Sequence, residues 1–150
     1  MKSKAQDVYV LGSSRIPFAK SQTAYNEVTR KELMVAALNG LVDRYNLQGK
    51  LIGDVSLGAV MNSSKDFNLA REAVLSTALH PETPAYNTQR ACGTGLEALW
   101  QISLKAHTGA INLGIAGGLD TTSDIPIEVS PELQRALLDA NKAKTFGEKA

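Results

Sequence analysis

Cys92 is the only cysteine in the 150-residue chain, and it stands in Arg90-Ala91-Cys92-Gly93-Thr94-Gly95-Leu96, directly ahead of an apolar run with helical character. A lone thiol most often fills a small space in a core; the other use open to it here is that of a nucleophile. Placement bears on the choice. If a strand over residues 85–91 ends just before Cys92 and a helix begins near Thr94, the sulfur sits beside the unpaired N–H groups of the first helical turn. Those donors and the positive end of the helix macrodipole favour thiolate over thiol. Gly93 and Gly95 tolerate unusual dihedral angles and leave a substrate room to approach backbone N–H groups. The arrangement resembles a nucleophile elbow. Cys-Gly-x-Gly is a short pattern, and taken alone it leaves both uses open.

Few other side chains compete for chemistry. Arg90 stands two positions before Cys92, so in an extended strand both point to the same side and the guanidinium favours the thiolate; a surface or interface ion pair is the commoner use of such a residue. His107 follows the predicted helix and suits its C-terminal carbonyls, and His80 lies in a loop before Pro81, so neither enters the candidate site. One cysteine and two histidines give no disulfide framework and no zinc-ligand spacing. Gly117 and Gly118 suit close packing or a strand-end turn beside the site, because no phosphate-binding glycine pattern surrounds them. Asp120 and Asp124 read as loop or helix-cap residues.

The elements that must position Cys92 follow from periodicity. Residues 7–14, DVYVLGSS, suit a buried strand entering a loop. Thr29 and Glu32 form a capping box, after which Met34, Ala37, Leu38, Leu41, Val42 and Tyr45 recur at helical spacing as far as Gly49. Residues 54–61 alternate as a strand, residues 67–79 return to helical spacing until Pro81, and residues 85–91 lead as a strand into the cysteine. From Leu96 to Ala106 the apolar residues keep to no single face, the pattern of a helix buried nearly all round, and residues 111–118 form another interior strand. Ser130 and Pro131 start a last helix through Leu133, Ala136, Leu137 and Ala140. Strand alternating with helix is the pattern of an α/β layered fold. A helix apolar on all sides needs cover that one domain with a single sheet does not supply, so a further layer is expected.

Composition excludes several classes. Sixteen Lys plus Arg against fifteen Asp plus Glu leave a net charge of +1, without the broad basic footprint of a nucleic-acid or membrane-surface binder. No segment approaches the roughly 20 apolar residues of a membrane span, and a cytoplasmic setting is the expectation.

Three separated motifs, SSRIPF (13–18), NTQRACGTGLEAL (87–99) and GIAGGLDTTSDIPI (114–127), occur in an order that resembles the first-strand region, the nucleophile region and the following strand and loop of thiolases. The likeness runs on through SPELQRALLDANKAK (130–144), similar to the start of the coenzyme-covering loop region in thiolases of fatty-acid β-oxidation complexes. It implies the N-terminal half of a thiolase-like layered fold, a mixed β-sheet with a buried central helix, divided into an N-terminal domain over 1–124 and the beginning of the loop region over 125–150. It further implies that Cys92 becomes acylated, with acyl-coenzyme A and coenzyme A as partners and coenzyme A as substrate; no cofactor, no metal, nucleic acid or membrane is expected. A homodimer or higher oligomer is implied as well. Lys142 and Lys144 come within the region that approaches coenzyme phosphates, although exposed lysines are ordinarily solvated surface.

The resemblance also implies a Gly-His-Pro histidine and a second cysteine, and neither occurs in these 150 residues. The chain is therefore expected to be incomplete and inactive in isolation. Two alternatives stay open: a condensing enzyme of the ketosynthase type, and a non-catalytic fragment or subunit that needs a partner half.

Overall fold

Strand β1 (Asp54–Gly58) lies at the centre of the molecule, and all five of its residues are buried. The computed structural model describes residues 5–142. Among them β1 pairs in parallel with β2 (Ala85–Thr88) on one side and β3 (Gly114–Gly118) on the other, with Val55 opposite both Ala85 and Ile115. Helix α1 (Arg30–Arg44) precedes β1, α2 (Leu69–Leu75) joins β1 to β2, α3 (Thr94–His107) joins β2 to β3, and α4 (Pro131–Lys142) follows. The expected α/β class is the observed one. Every pairing is parallel, however, where a mixed sheet was expected: each strand is followed by a helical crossover, and a crossover returns the chain in the same direction.

Successive strand residues point to opposite faces, which settles what each helix covers. Val55, Leu57 and Ile115 join Met34, Leu38 and Val42 of α1 and Leu69, Ala70, Ala73 and Val74 of α2 in one apolar core. Asp54, Ser56 and Gly58 face α3, as the contacts of Asp54 with Lys105 and of Gly58 with Thr94 show. At Gly114, a side chain would collide with Ile102, so the bare backbone of β3 lets α3 lie close.

Local chemistry sets the helix ends. The capping box forms: the Thr29 amide donates to Glu32 Oε2 at 2.8 Å, and the Glu32 amide donates to Thr29 Oγ1 at 3.2 Å. These bonds hold the Glu32 carboxyl below its usual range. Helix α1 stops at Arg44 rather than near Gly49, because Asn46 (φ 52°) turns left-handed and the Leu47 amide bonds back to the Val42 carbonyl at 2.9 Å. Helix α2 is shorter than residues 67–79 suggest. The hydroxyls of Ser76 and Thr77 donate to the carbonyls of Glu72 and Val74 and so compete with its continuation.

Two expectations are corrected. Residues 7–14 form no strand: Tyr9, Val10 and Leu11 are exposed, and the segment is tied down at its ends, by the Gln6 amide on the His107 carbonyl (2.9 Å) and by Arg44 on the Ser13 carbonyl (2.6 Å). An apolar run becomes a strand only where an edge presents matching donors and acceptors, and here neither sheet edge pairs with it. Helix α3 is not buried all round. Ala98 and Ile102 face the sheet, while Leu96 and Trp100 are 73% and 62% exposed, because no second layer covers them among the described residues. Among those residues no helix is long and apolar enough to cross a membrane.

Candidate active site at the start of α3

Cys92 lies in the turn between β2 and α3, two residues ahead of the first helical residue, and its side chain is exposed. Four short hydrogen bonds define this turn. The Arg90 amide donates to Thr94 Oγ1 (2.8 Å), Thr94 Oγ1 donates to the Ala91 carbonyl (2.7 Å), the Gly93 amide donates to the Arg90 carbonyl (3.0 Å), and the Thr94 amide donates to the Ala91 carbonyl (3.1 Å). Ala91 adopts φ 44°, a left-handed conformation that costs an L-residue with a Cβ roughly 1–2 kcal/mol. The first intrahelical bond runs from the Glu97 amide to the Gly93 carbonyl, and Gly93 supplies no side-chain cap. The amides of Cys92, Gly95 and Leu96 therefore donate to no protein group among the described residues. An exposed sulfur beside three free N–H groups at a helix start is an arrangement that accepts a developing negative charge on a ligand atom.

Sheet and helix meet tightly here. A Cβ at Gly118 would lie 3.0 Å from the Gly58 carbonyl oxygen and 3.7 Å from the Gly95 nitrogen, so the end of β3 runs directly under the turn. Gly118 thus serves close packing at a strand end, as expected, whereas a Cβ at Gly117 would make only an ordinary contact with Leu57 at 3.5 Å.

Arg90 makes a surface ion pair. Its Nη1 donates to Glu97 Oε2 at 2.9 Å from a side chain that is 73% exposed. Glu97 also accepts from Gln101 Nε2 (3.0 Å), and Gln101 Oε1 accepts from Tyr86 (3.0 Å) and Thr88 (3.2 Å), whose hydroxyl lies 2.7 Å from that of Ser56. This polar chain runs from the buried face of the sheet to the surface beside Cys92. It holds the Glu97 carboxyl below its usual range, first through Gln101 and then through Arg90.

The remaining candidates fall elsewhere. Asp120 accepts from the amides of Val60 (2.8 Å) and Met61 (3.2 Å) and closes the loop after β1. Asp124 accepts from the Arg30 amide at 3.1 Å, capping α1 from a distant loop. Arg30 is buried, with Asp66 at 3.7 Å and Asp124 at 3.9 Å, and its Nε has no acceptor. His80 Nδ1 accepts from the Glu82 amide at 3.2 Å. His107 Nδ1 donates to the Gln6 carbonyl at 2.7 Å rather than to the carbonyls of its own helix, which Thr108 takes instead. Lys142 reaches Asp139 at 3.5 Å, and Lys144 lies outside the described residues. Among the described residues no group of three His, Cys, Asp or Glu is placed to hold a metal ion.

Arg15-Ile16-Pro17-Phe18 and Gly118–Ser123, a hundred residues apart in sequence, line one open cavity of about 520 Å³. Cys92 is not in its wall, although Gly118, which lies under the turn, is. Sequence reasoning missed Thr94 and the Lys105–Asp54 pair. The hydroxyl three residues after Ala91 was the available signal for the first; no local signal exists for the second, whose partners are 51 residues apart.

Residues 8–148 match the family model described as thiolase, N-terminal domain. The 3-ketoacyl-CoA thiolases of Shewanella sp. (strain W3-18-1) and Shewanella baltica (strain OS155 / ATCC BAA-1091) are each 38% identical to the chain over 147 residues, which is 98% of this chain and 34% of theirs. The chain thus spans about a third of the length of these curated relatives. The crystal structure of the Bacillus anthracis acetyl-CoA acetyltransferase superposes with a TM-score of 0.82 at 24% identity, covering 87% of this chain and 33% of that one; that likeness is one of fold.

Proposed function

The chain belongs to the thiolase family, as its N-terminal domain, and from that premise we propose that Cys92 carries the acyl group in acyl transfer to and from coenzyme A. The observation that supports this most directly is the exposed sulfur at the start of α3, next to the unpaired amides of Cys92, Gly95 and Leu96. The substrate class is a 3-oxoacyl-coenzyme A, taken from the names of the relatives.

The thiolate of Cys92 attacks the 3-keto carbon and the C2–C3 bond breaks. Its electron pair leaves with C2, which takes up a proton to give acetyl-coenzyme A, while the acyl group stays on sulfur as a thioester. A coenzyme A thiolate then attacks that thioester and releases Cys92. Run in reverse, the same steps make a Claisen condensation. Oxygen bears negative charge in both tetrahedral states, and the unpaired amides at the start of α3, that of Cys92 among them, are donors that would meet it. His107 stands at the far end of α3, about 20 Å from its start at 1.5 Å per residue, and His80 accepts at Nδ1 in the loop before Pro81, so neither is assigned as the base at this sulfur. A cytoplasmic setting and a homodimer or higher oligomer belong to the same proposal, with coenzyme A as substrate.

The test is uptake of an acyl group. Thiolase turnover is not expected of this chain, but the acyl-exchange half-reaction requires only the Cys92 thiolate: at mildly alkaline pH the full chain incubated with acetyl-coenzyme A gains one acetyl group on the peptide containing Cys92, free coenzyme A removes it, and Cys92→Ser takes up none. Absence of the acetyl group from wild-type Cys92 under conditions where the chain is folded overturns the assignment.

A further inference from the structure

We propose that Thr94 is the positioning residue of the nucleophile: its hydroxyl holds Ala91 in the left-handed conformation that sets Cys92 ahead of α3. The inference deepens the acyl-carrier assignment of Cys92 and rests on it for its chemical meaning. Three non-glycine residues among those described have positive φ, namely Gln22, Asn46 and Ala91. Asparagine adopts that region readily, and Gln22 is held by its amide on Ser123 Oγ at 3.0 Å. Ala91 has no polar side chain with which to stabilise itself, so its neighbours must impose the conformation.

Thr94 is the neighbour that does so. Its Oγ1 accepts from the amide before Ala91 and donates to the Ala91 carbonyl, bracketing the strained residue on both sides at 2.8 and 2.7 Å. The rotamer that permits this is itself locked. Thr94 is only 4% exposed, and its methyl group Cγ2 lies against Gly58 at the end of β1, where a Cβ would overlap it. A β-branched side chain has little freedom at χ1, so with the methyl pressed on the sheet the hydroxyl points to the turn. Thr94 makes no hydrogen bond with the sulfur; it acts through Ala91.

Three variants of the full chain, Thr94→Val, Thr94→Ser and Ala91→Gly, together with the double variant Ala91→Gly/Thr94→Val, test this through acetyl transfer to Cys92 and through amide hydrogen exchange. Thr94→Val keeps the shape and removes both bonds, and it slows transfer by about tenfold or more, whereas Thr94→Ser keeps the hydroxyl but gives up the methyl that fixes its rotamer, and its loss is smaller, up to about fivefold. Glycine adopts the left-handed region freely, so in the Ala91→Gly background the loss caused by Thr94→Val shrinks to less than about threefold. A merely structural role moves the melting temperature but gives neither the rescue by serine nor the rescue by Gly. Transfer by Thr94→Val within about twofold of wild type, or a loss just as large with Gly at 91, overturns the inference. If wild-type Cys92 takes up no acyl group, the functional assignment fails, and Thr94 is then judged by exchange alone. Loss of protection at the Gly93 and Thr94 amides in Thr94→Val, recovered by Ala91→Gly, supports its role in the turn; unchanged protection overturns it.

Discussion

Lys105 shows how single side chains fix α3 over the sheet. Its ammonium group bonds the Asp54 carboxylate and lies 4.3 Å from the centre of the Tyr86 ring. The bond to Asp54 is the main cause that holds the Lys105 ammonium above its ordinary pKa, and burial opposes it. A group whose pKa is raised by folding contributes stability that is fully present below its unfolded pKa, about 10.4 for lysine, and that disappears as pH rises through the folded value. Lys105→Met therefore destabilises the chain at neutral pH. The Lys105 side chain is 40% exposed, so solvent screening limits the pair itself to about 1 kcal/mol or less. Urea midpoints across pH check this: the gap between wild type and variant is constant near neutrality and narrows above about pH 10.4. A gap that widens with rising pH contradicts the assignment of the pair.

At the scale of elements, α3 carries two faces with different duties. Ile102 is buried against β3, where it meets the backbone of Gly114, while Trp100 stands mostly in solvent. Ile102→Ala costs about 2–5 kcal/mol, and Trp100→Ala stays within about 0.5 kcal/mol of wild type, both read from denaturant unfolding. Equal effects at the two positions would mean that both faces of α3 are covered. Helix α1 depends on its first turn instead. Thr29→Ala removes the capping oxygen and destabilises the chain by about 1 kcal/mol. Glu32 has its pKa lowered on folding by the Thr29 bonds, so its contribution is present above the unfolded carboxylate value, about 4.3, and is lost as pH falls through the folded one. The difference between wild type and Thr29→Ala accordingly shrinks in acid.

At the scale of the whole molecule, exposed apolar residues occur along much of the described chain, and α3 and α4 each leave an apolar side in solvent. Leu96, Leu99, Trp100 and Leu104 lie on the outer side of α3, and Leu133 and Leu137 stand out on α4, in which no residue is buried. Apolar helix sides left in solvent promote association in water. Sedimentation of the chain is therefore concentration-dependent, and Leu96→Gln/Trp100→Gln moves it toward the monomer without loss of helix content. Sedimentation unaffected by both changes would place the association elsewhere. The same exposure explains why apolar residues on every side of α3 misread as complete burial: hydrophobicity records the need for cover, and the described residues supply it on one face only.

What the amino-acid sequence determined alone was local in its physics. The capping box at Thr29 and Glu32, the strand that begins at Ala85 (though it ends at Thr88, not at Ala91), the helix opening at Thr94 and the α/β order all depend on residues within a few positions of one another, where propensity and hydrogen-bonding geometry decide. The three motifs carried the family for the same reason, each being a short contiguous run. What only the tertiary structure decided were pairings between segments distant in the chain. Val8–Leu11 lack a partner edge, Lys105 finds Asp54, Asp124 caps α1, and the methyl of Thr94 is pinned by Gly58 so that its hydroxyl sets the Cys92 turn. Periodicity states which face of an element is apolar; the neighbour that covers it, and the rotamer that neighbour imposes, exist only once the sheet has assembled.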